Sequence, residues 1–168
     1  TILRGGEVVD GSGRPRFRAD VAITGDRIGE IGKVDRAAGA REIDVSGRIV
    51  APGFIDVHTH DDRALLAMPE MAMKASQGVT TVVTGNCGVS LAPLVLDAAP
   101  PPPLDLLGDA ADFRYERFDQ YLAALDRAPA ALNAACLVGH SSLRVGAMAA
   151  LDRPAADREL AQMGERLQ

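Results

Sequence analysis

Over residues 1 to about 50 the apolar positions come in short runs that alternate with polar ones and break at glycine and aspartate. Residues 2–4, 7–9, 19–23, 27–31 and 42–45 each carry the two-residue period of a strand. Asp10-Gly11-Ser12-Gly13 has the composition of a turn, Gly25-Asp26 suits the tight turn of a hairpin, and residues 37–40 read as loop. The pattern predicts a small antiparallel β-sheet domain over residues 1–50. Such a sheet is too small to bury a large core, and it contains no cluster of catalytic residue types.

From residue 51 the period changes. Pro52-Gly53 punctuates the chain, and residues 54–60 read as a short strand. Residues 64–78 read as a helix that Pro69 divides and Gly78 ends; Met68, Met71 and Met73 within it read as core packing. Residues 79–85 are β-branched almost throughout, as expected of a strand covered on both faces. Residues 116–125 place Phe118, Tyr121, Leu122 and Leu125 on one helical face. Residues 132–140 read as a third strand ending in His140, and Asp152 as the N-cap of a polar helix starting at Pro154. Strand, helix, strand in succession is the pattern of parallel βαβ units with right-handed crossovers. Residues 89–115, with the run Pro100-Pro101-Pro102-Pro103, read as a long irregular segment, either a solvated insertion or a cover over a site.

Composition bounds the function. The 168 residues are 47% hydrophobic and 24% charged, which suits an ordinary globular domain. A net charge of −5 leaves no basic footprint for nucleic acid. No apolar run approaches the ~18 residues of a membrane span, and no signal peptide is visible. Cys87 and Cys136 do not make a disulfide framework, which points to a reducing, cytoplasmic compartment. The chain begins at Thr1 rather than Met and ends within a helical pattern, so a fragment of a longer protein is expected.

The candidate chemistry lies at the strand ends. In a strand, residues two apart point the same way. His58 and His60 are therefore expected side by side, with Asp56 behind them on the same face. Two imidazoles so placed are either two legs of a divalent-metal site or two solvated histidines. Three successive strands end in residues capable of chemistry: His58 and His60, then Cys87, then His140. Because α/β barrels carry their sites at the C-terminal strand ends, this succession favours the metal reading. Position alone leaves Cys87, between Asn86 and Gly88, open between ligand and small buried residue. Cys136, mid-strand, reads as the latter.

Ala51-Pro52-Gly53-Phe54-Ile55-Asp56-Val57-His58-Thr59-His60, following a glycine-rich β segment, resembles the opening of the amidohydrolase superfamily barrel. His60-Asp61-Asp62, Gln77-Gly78-Val79-Thr80-Thr81, Gly85-Asn86-Cys87-Gly88 and Gly139-His140-Ser141-Ser142-Leu143-Arg144 resemble the D-aminoacylases, or N-acyl-D-amino-acid deacylases. The resemblance spans essentially the whole chain. It implies an α/β fold, a partial TIM-like (β/α)8 barrel of three βα units over residues 51–168. It also implies a zinc cofactor, with His58 and His60 as ligands and Cys87 as a ligand that can bridge, in place of the carboxylated lysine of other relatives. The implied reaction is hydrolysis of a small-molecule N-acyl-D-amino acid to a D-amino acid and a carboxylate. Two further histidine ligands and the general-base aspartate belong to later strands, so the base is expected beyond residue 168 and the fragment is expected to be inactive alone. His140 is either a substrate-side or ligand-supporting residue or a structural one. The alternatives are a dihydropyrimidinase-like cyclic-amide hydrolase, which normally uses a lysine on a later strand, and a non-catalytic zinc-binding module.

Overall fold

The structure is a computed structural model and describes residues 1–167. The chain divides into two compact units, Thr1–Pro52 and Gly53–Gln168. In the first, β1 (Ile2–Val8), β2 (Phe17–Thr24) and β3 (Arg27–Gly32) follow one another antiparallel. Ile2, Val8 and Val21 are buried. The expectation of a purely antiparallel sheet is corrected: β4 (Glu42–Asp44) and β5 (Ile49–Val50) both pair parallel to β1. The connection over residues 33–41 returns the chain to the start of β1 before β4 begins, so β4 runs in the same direction as β1. Arg4 ties three strands together through Asp20 at 2.8 Å and Glu42 at 2.6 Å.

The second unit is α/β. β6 (Phe54–Thr59) leads to α1 (Asp62–Ala67), α2 (Ala72–Ala75) and β7 (Val79–Thr84), with Pro69 falling between the two helices as expected. After β8 (Leu94–Val95) and β9 (Arg114–Tyr115), an antiparallel pair, come α3 (Phe118–Arg127), β10 (Asn133–Cys136), α4 (His140–Ala147) and α5 (Asp157–Glu165). β6, β7 and β10 form one parallel sheet in the spatial order β10-β7-β6. Their C-terminal ends therefore lie together, as the strand-end pattern required.

Several expectations are revised. Residues 89–115 are neither a solvated insertion nor a simple cover, because Val89, Leu91, Leu94, Leu104, Leu107, Phe113 and Tyr115 form a core cluster with Tyr121. Their apolar positions follow no helical or strand period, which hid them in the sequence. The third strand stops at Cys136, and His140 instead opens α4. Between them Gly139 passes so close to the Gly88 and Val89 backbone that a Cβ would lie 2.6 Å from it. α5 begins at Asp157, not Pro154, and the Glu159 carboxylate rather than Asp152 accepts from the Ala156 amide at 2.8 Å. On one face of β7 Val82 and Thr84 are buried while Thr80 is exposed, and on the other Val79, Thr81 and Val83 are half-buried, so neither face is covered along its whole length. Met71 is buried against Leu65, Val82 and Leu132, whereas Met68 and Met73 are exposed, as is Leu122. Among the described residues, no helix is long and apolar enough to cross a membrane.

Candidate metal centre

β6 and β7 do not advance in step. Asp56 lies opposite Val82 and Thr59 opposite Thr84, so three residues of β6 span two of β7. The extra residue is a bulge, which breaks strict alternation and re-aims the side chains around it. Asp56 and Thr59, three apart, consequently both reach Lys74 of α2. The expectation that Asp56 stands behind the histidines is thus corrected: its carboxylate turns to the Lys74 ammonium. Its other oxygen accepts from the His58 amide at 3.2 Å. The hydrogen bond from Lys74 is the main reason the Asp56 carboxyl lies below its ordinary pKa.

His58 lies within the bulged segment and His60 just after it, with ring centroids 5.9 Å apart in an edge-to-face arrangement. Opposite them the chain leaves β7 through Gly85, whose φ of 78° is left-handed and whose missing Cβ leaves room for the Leu137 carbonyl. The Gly88 amide closes the turn onto the Gly85 carbonyl at 3.0 Å. Asn86 Nδ2 donates to the Val57 carbonyl at 2.8 Å, between Asp56 and His58. On the other side the Gly88 carbonyl accepts from the Ser141 amide at 2.7 Å. Cys87 is held at the tip of this doubly pinned turn, exposed, with Sγ 3.3 Å from His60 Nδ1.

His58, His60 and Cys87 each present a donor atom, and the three atoms lie within 4.8 Å of one another. Tetrahedral zinc with two nitrogens and one sulfur spaces its donors about 3.4–3.7 Å apart. The set therefore needs adjustments on the order of 1 Å, within reach of side-chain rotation, and its chemistry is that of zinc. His140 is exposed at the first turn of α4 and does not belong to the cluster. Cys136 stays apart from it, half-buried against the core, and burial pushes its thiol pKa up.

Lys74 and burial withdraw the surrounding acids from solvent. Asp61 Oδ2 forms an ion pair with Lys74 at 3.1 Å. Asp62 is 1% exposed, its Oδ1 accepts from the Leu91 amide at 3.4 Å, and burial raises its pKa to about 6. Burial alone would lower the Lys74 pKa, but its bonds to Asp56 and Asp61 outweigh that and leave it above its ordinary value. Sequence reasoning missed Lys74, Asn86 and the Ser90/Ser142 pair that bonds the loop after Cys87 to α4. One signal was present: Lys74 is one of only two lysines beside sixteen arginines.

Residues 41–168 match the model of a family described as the amidohydrolase family. The chain belongs to that family. Within it, this amidohydrolase chain is 57% identical over 162 residues to a D-aminoacylase of Alcaligenes xylosoxydans xylosoxydans, covering 96% of this chain and 33% of that one. A solved D-aminoacylase, described by its binuclear metal centre with one-metal activation and second-metal attenuation, superposes with a TM-score of 0.93 at 54% identity, over 98% of this chain and 35% of that one. An N-acyl-D-glutamate deacylase of Bordetella bronchiseptica, solved with zinc and a phosphonate mimic of the tetrahedral intermediate, superposes with a TM-score of 0.89 at 42% identity, over 99% and 35%. The amidohydrolase chain thus spans about a third of the length of these relatives.

Proposed function

We propose that this chain carries the metal-binding part of a zinc-dependent hydrolase that cleaves the amide bond of N-acyl-D-amino acids into a D-amino acid and a carboxylate. The convergence of His58, His60 and Cys87 carries the reading, and the similarity to D-aminoacylases supports it. Zinc supplies Lewis acidity, which activates water at neutral pH and polarises an acyl carbonyl. His58 and His60 hold the ion through imidazole nitrogens fixed by the bulged end of β6. Cys87 holds it through a thiolate fixed by the turn that Asn86 pins.

The neighbouring carboxylates are poorly placed to take a proton from water, because Lys74 engages Asp56 and Asp61 and the core encloses Asp62. As the resemblance to the D-aminoacylases implies, the general-base aspartate and two further histidine ligands are assigned to the two-thirds of the relatives' length that this chain does not span. Residues 51–168 then form the first three βα units of a (β/α)8 barrel. Exposed Phe54, Ile55 and Val57 on β6 support this, since a neighbouring barrel strand would cover them. His140, whose helix is bonded to the turn after Cys87 through Ser141, is assigned to the substrate side. A cytoplasmic setting suits the two free cysteines.

The test compares turnover of N-acetyl-D- and N-acetyl-L-amino acids by the longer protein containing this chain, with and without zinc. Zinc-dependent turnover of the D series is expected, with none by the 168-residue chain alone. Equal turnover of both series, or turnover by the short chain, would contradict the reading.

A further inference from the structure

Lys74 sits on α2, a four-residue helix that begins directly after Met71. Met71 has a left-handed backbone at φ 45°, the only positive φ at a non-glycine position among the described residues. That conformation is unfavourable for a side-chain-bearing residue and persists only where packing enforces it. Here the fully buried Met71 side chain, packed with Leu65, Val82 and Leu132, enforces it. The left-handed residue joins the end of α1 to α2, and the Lys74 ammonium reaches β6 from there.

The ammonium meets Asp56 Oδ2 at 2.5 Å, Thr59 Oγ1 at 3.1 Å and Asp61 Oδ2 at 3.1 Å. These partners interleave with His58 and His60 along the chain. They bracket the bulge, where the β6–β7 ladder is interrupted and the backbone has lost its regular ties. We propose that Lys74 is a positioning residue that sets the zinc affinity of the His58/His60/Cys87 centre by clamping the bulged end of β6. The clamp also holds the Asp61 carboxylate, adjacent to His60, so that it does not compete with the imidazoles as a ligand. A compact ammonium donates to Asp56 and Thr59 and pairs by charge with Asp61, whereas a planar guanidinium presents a fork of different geometry. That contrast accounts for a lysine in a chain whose other cations are, with one exception, arginines.

The inference rests on the metal-centre reading, and the experiment separates the two. Zinc affinity is measured by competition with a chromophoric chelator for wild type, Lys74→Met and Lys74→Arg, alongside thermal unfolding of the metal-free proteins by circular dichroism. Both substitutions are expected to weaken zinc by roughly 10–100-fold, the usual effect of removing a group that orients ligands. Lys74→Arg keeps the charge and is expected to leave the metal-free unfolding midpoint near that of wild type. If wild type does not bind zinc, the metal-centre reading fails and this inference with it. If wild type binds zinc and Lys74→Arg binds it as tightly, this inference alone is overturned. Loss of the fold in both variants would assign Lys74 to the fold rather than to the centre and would overturn it as well.

Discussion

The Cys87 sulfur lies 3.3 Å from His60 Nδ1, although 27 residues separate them in sequence. The contact follows from topology. β6 and β7 are parallel neighbours, so their C-terminal ends meet, and the turn leaving β7 folds back over the end of β6. What fixes the sulfur is the backbone of that turn, held by the Asn86 side chain on one side and the Ser141 amide on the other.

Asn86→Ala removes the bond to the Val57 carbonyl and frees the turn. One hydrogen bond contributes about 0.5–1.5 kcal/mol, so zinc affinity should fall roughly 2–12-fold. Asn86→Asp should lose more, because a carboxylate cannot donate and would face the Val57 carbonyl. Chelator competition reads both, and wild-type affinity in Asn86→Asp would contradict the pinning role.

The two thiols should be distinguishable by alkylation. Cys87 is exposed, whereas Cys136 is half-buried and burial raises its pKa, which lowers its thiolate fraction. Iodoacetamide should label Cys87 first in the metal-free protein, and zinc should protect it. Peptide mass spectrometry reads the order, and labelling of Cys87 unaffected by zinc would count against its role as a ligand.

Glu159 gives the start of α5 a pH dependence. Arg153 binds its carboxylate through two nitrogens at 2.8 and 2.6 Å, and the Ala156 amide donates to it at 2.8 Å. Chiefly through Arg153, its pKa falls from 4.5 to about 2. The folded-state value lies below the unfolded one, so this stabilisation is present above pH 4.5 and is lost as pH falls through about 2. Glu159→Gln should lower the thermal midpoint at pH 7, and the gap to wild type should narrow as pH falls from about 4.5 toward 2. Circular dichroism melts across that range check it; a gap independent of pH would contradict the assignment.

The centre was legible where chemistry coincided with period. His58 and His60 stood two apart on a short strand, and Cys87 followed an unbroken β-branched run, so both strand ends could be read. Their supports could not be, because Lys74 reaches β6 only through the bulge and the left-handed Met71, neither of which leaves a local pattern. His140 was misplaced on a strand because Leu137 and Val138 continue its apolar run, while the close approach of Gly139 to Gly88, which ends that run, is a tertiary contact. The parallel pairing of β4 and β5 depended likewise on the path of an irregular connection.

X-ray absorption at the zinc edge tests most directly whether His58, His60 and Cys87 share one ion. Zinc-loaded wild type should show nitrogen or oxygen neighbours at about 2.0–2.1 Å and a sulfur at about 2.3 Å. The sulfur contribution should vanish in Cys87→Ala and persist in Cys136→Ala. A wild-type spectrum without sulfur, or a sulfur contribution that survives in Cys87→Ala, would contradict the account.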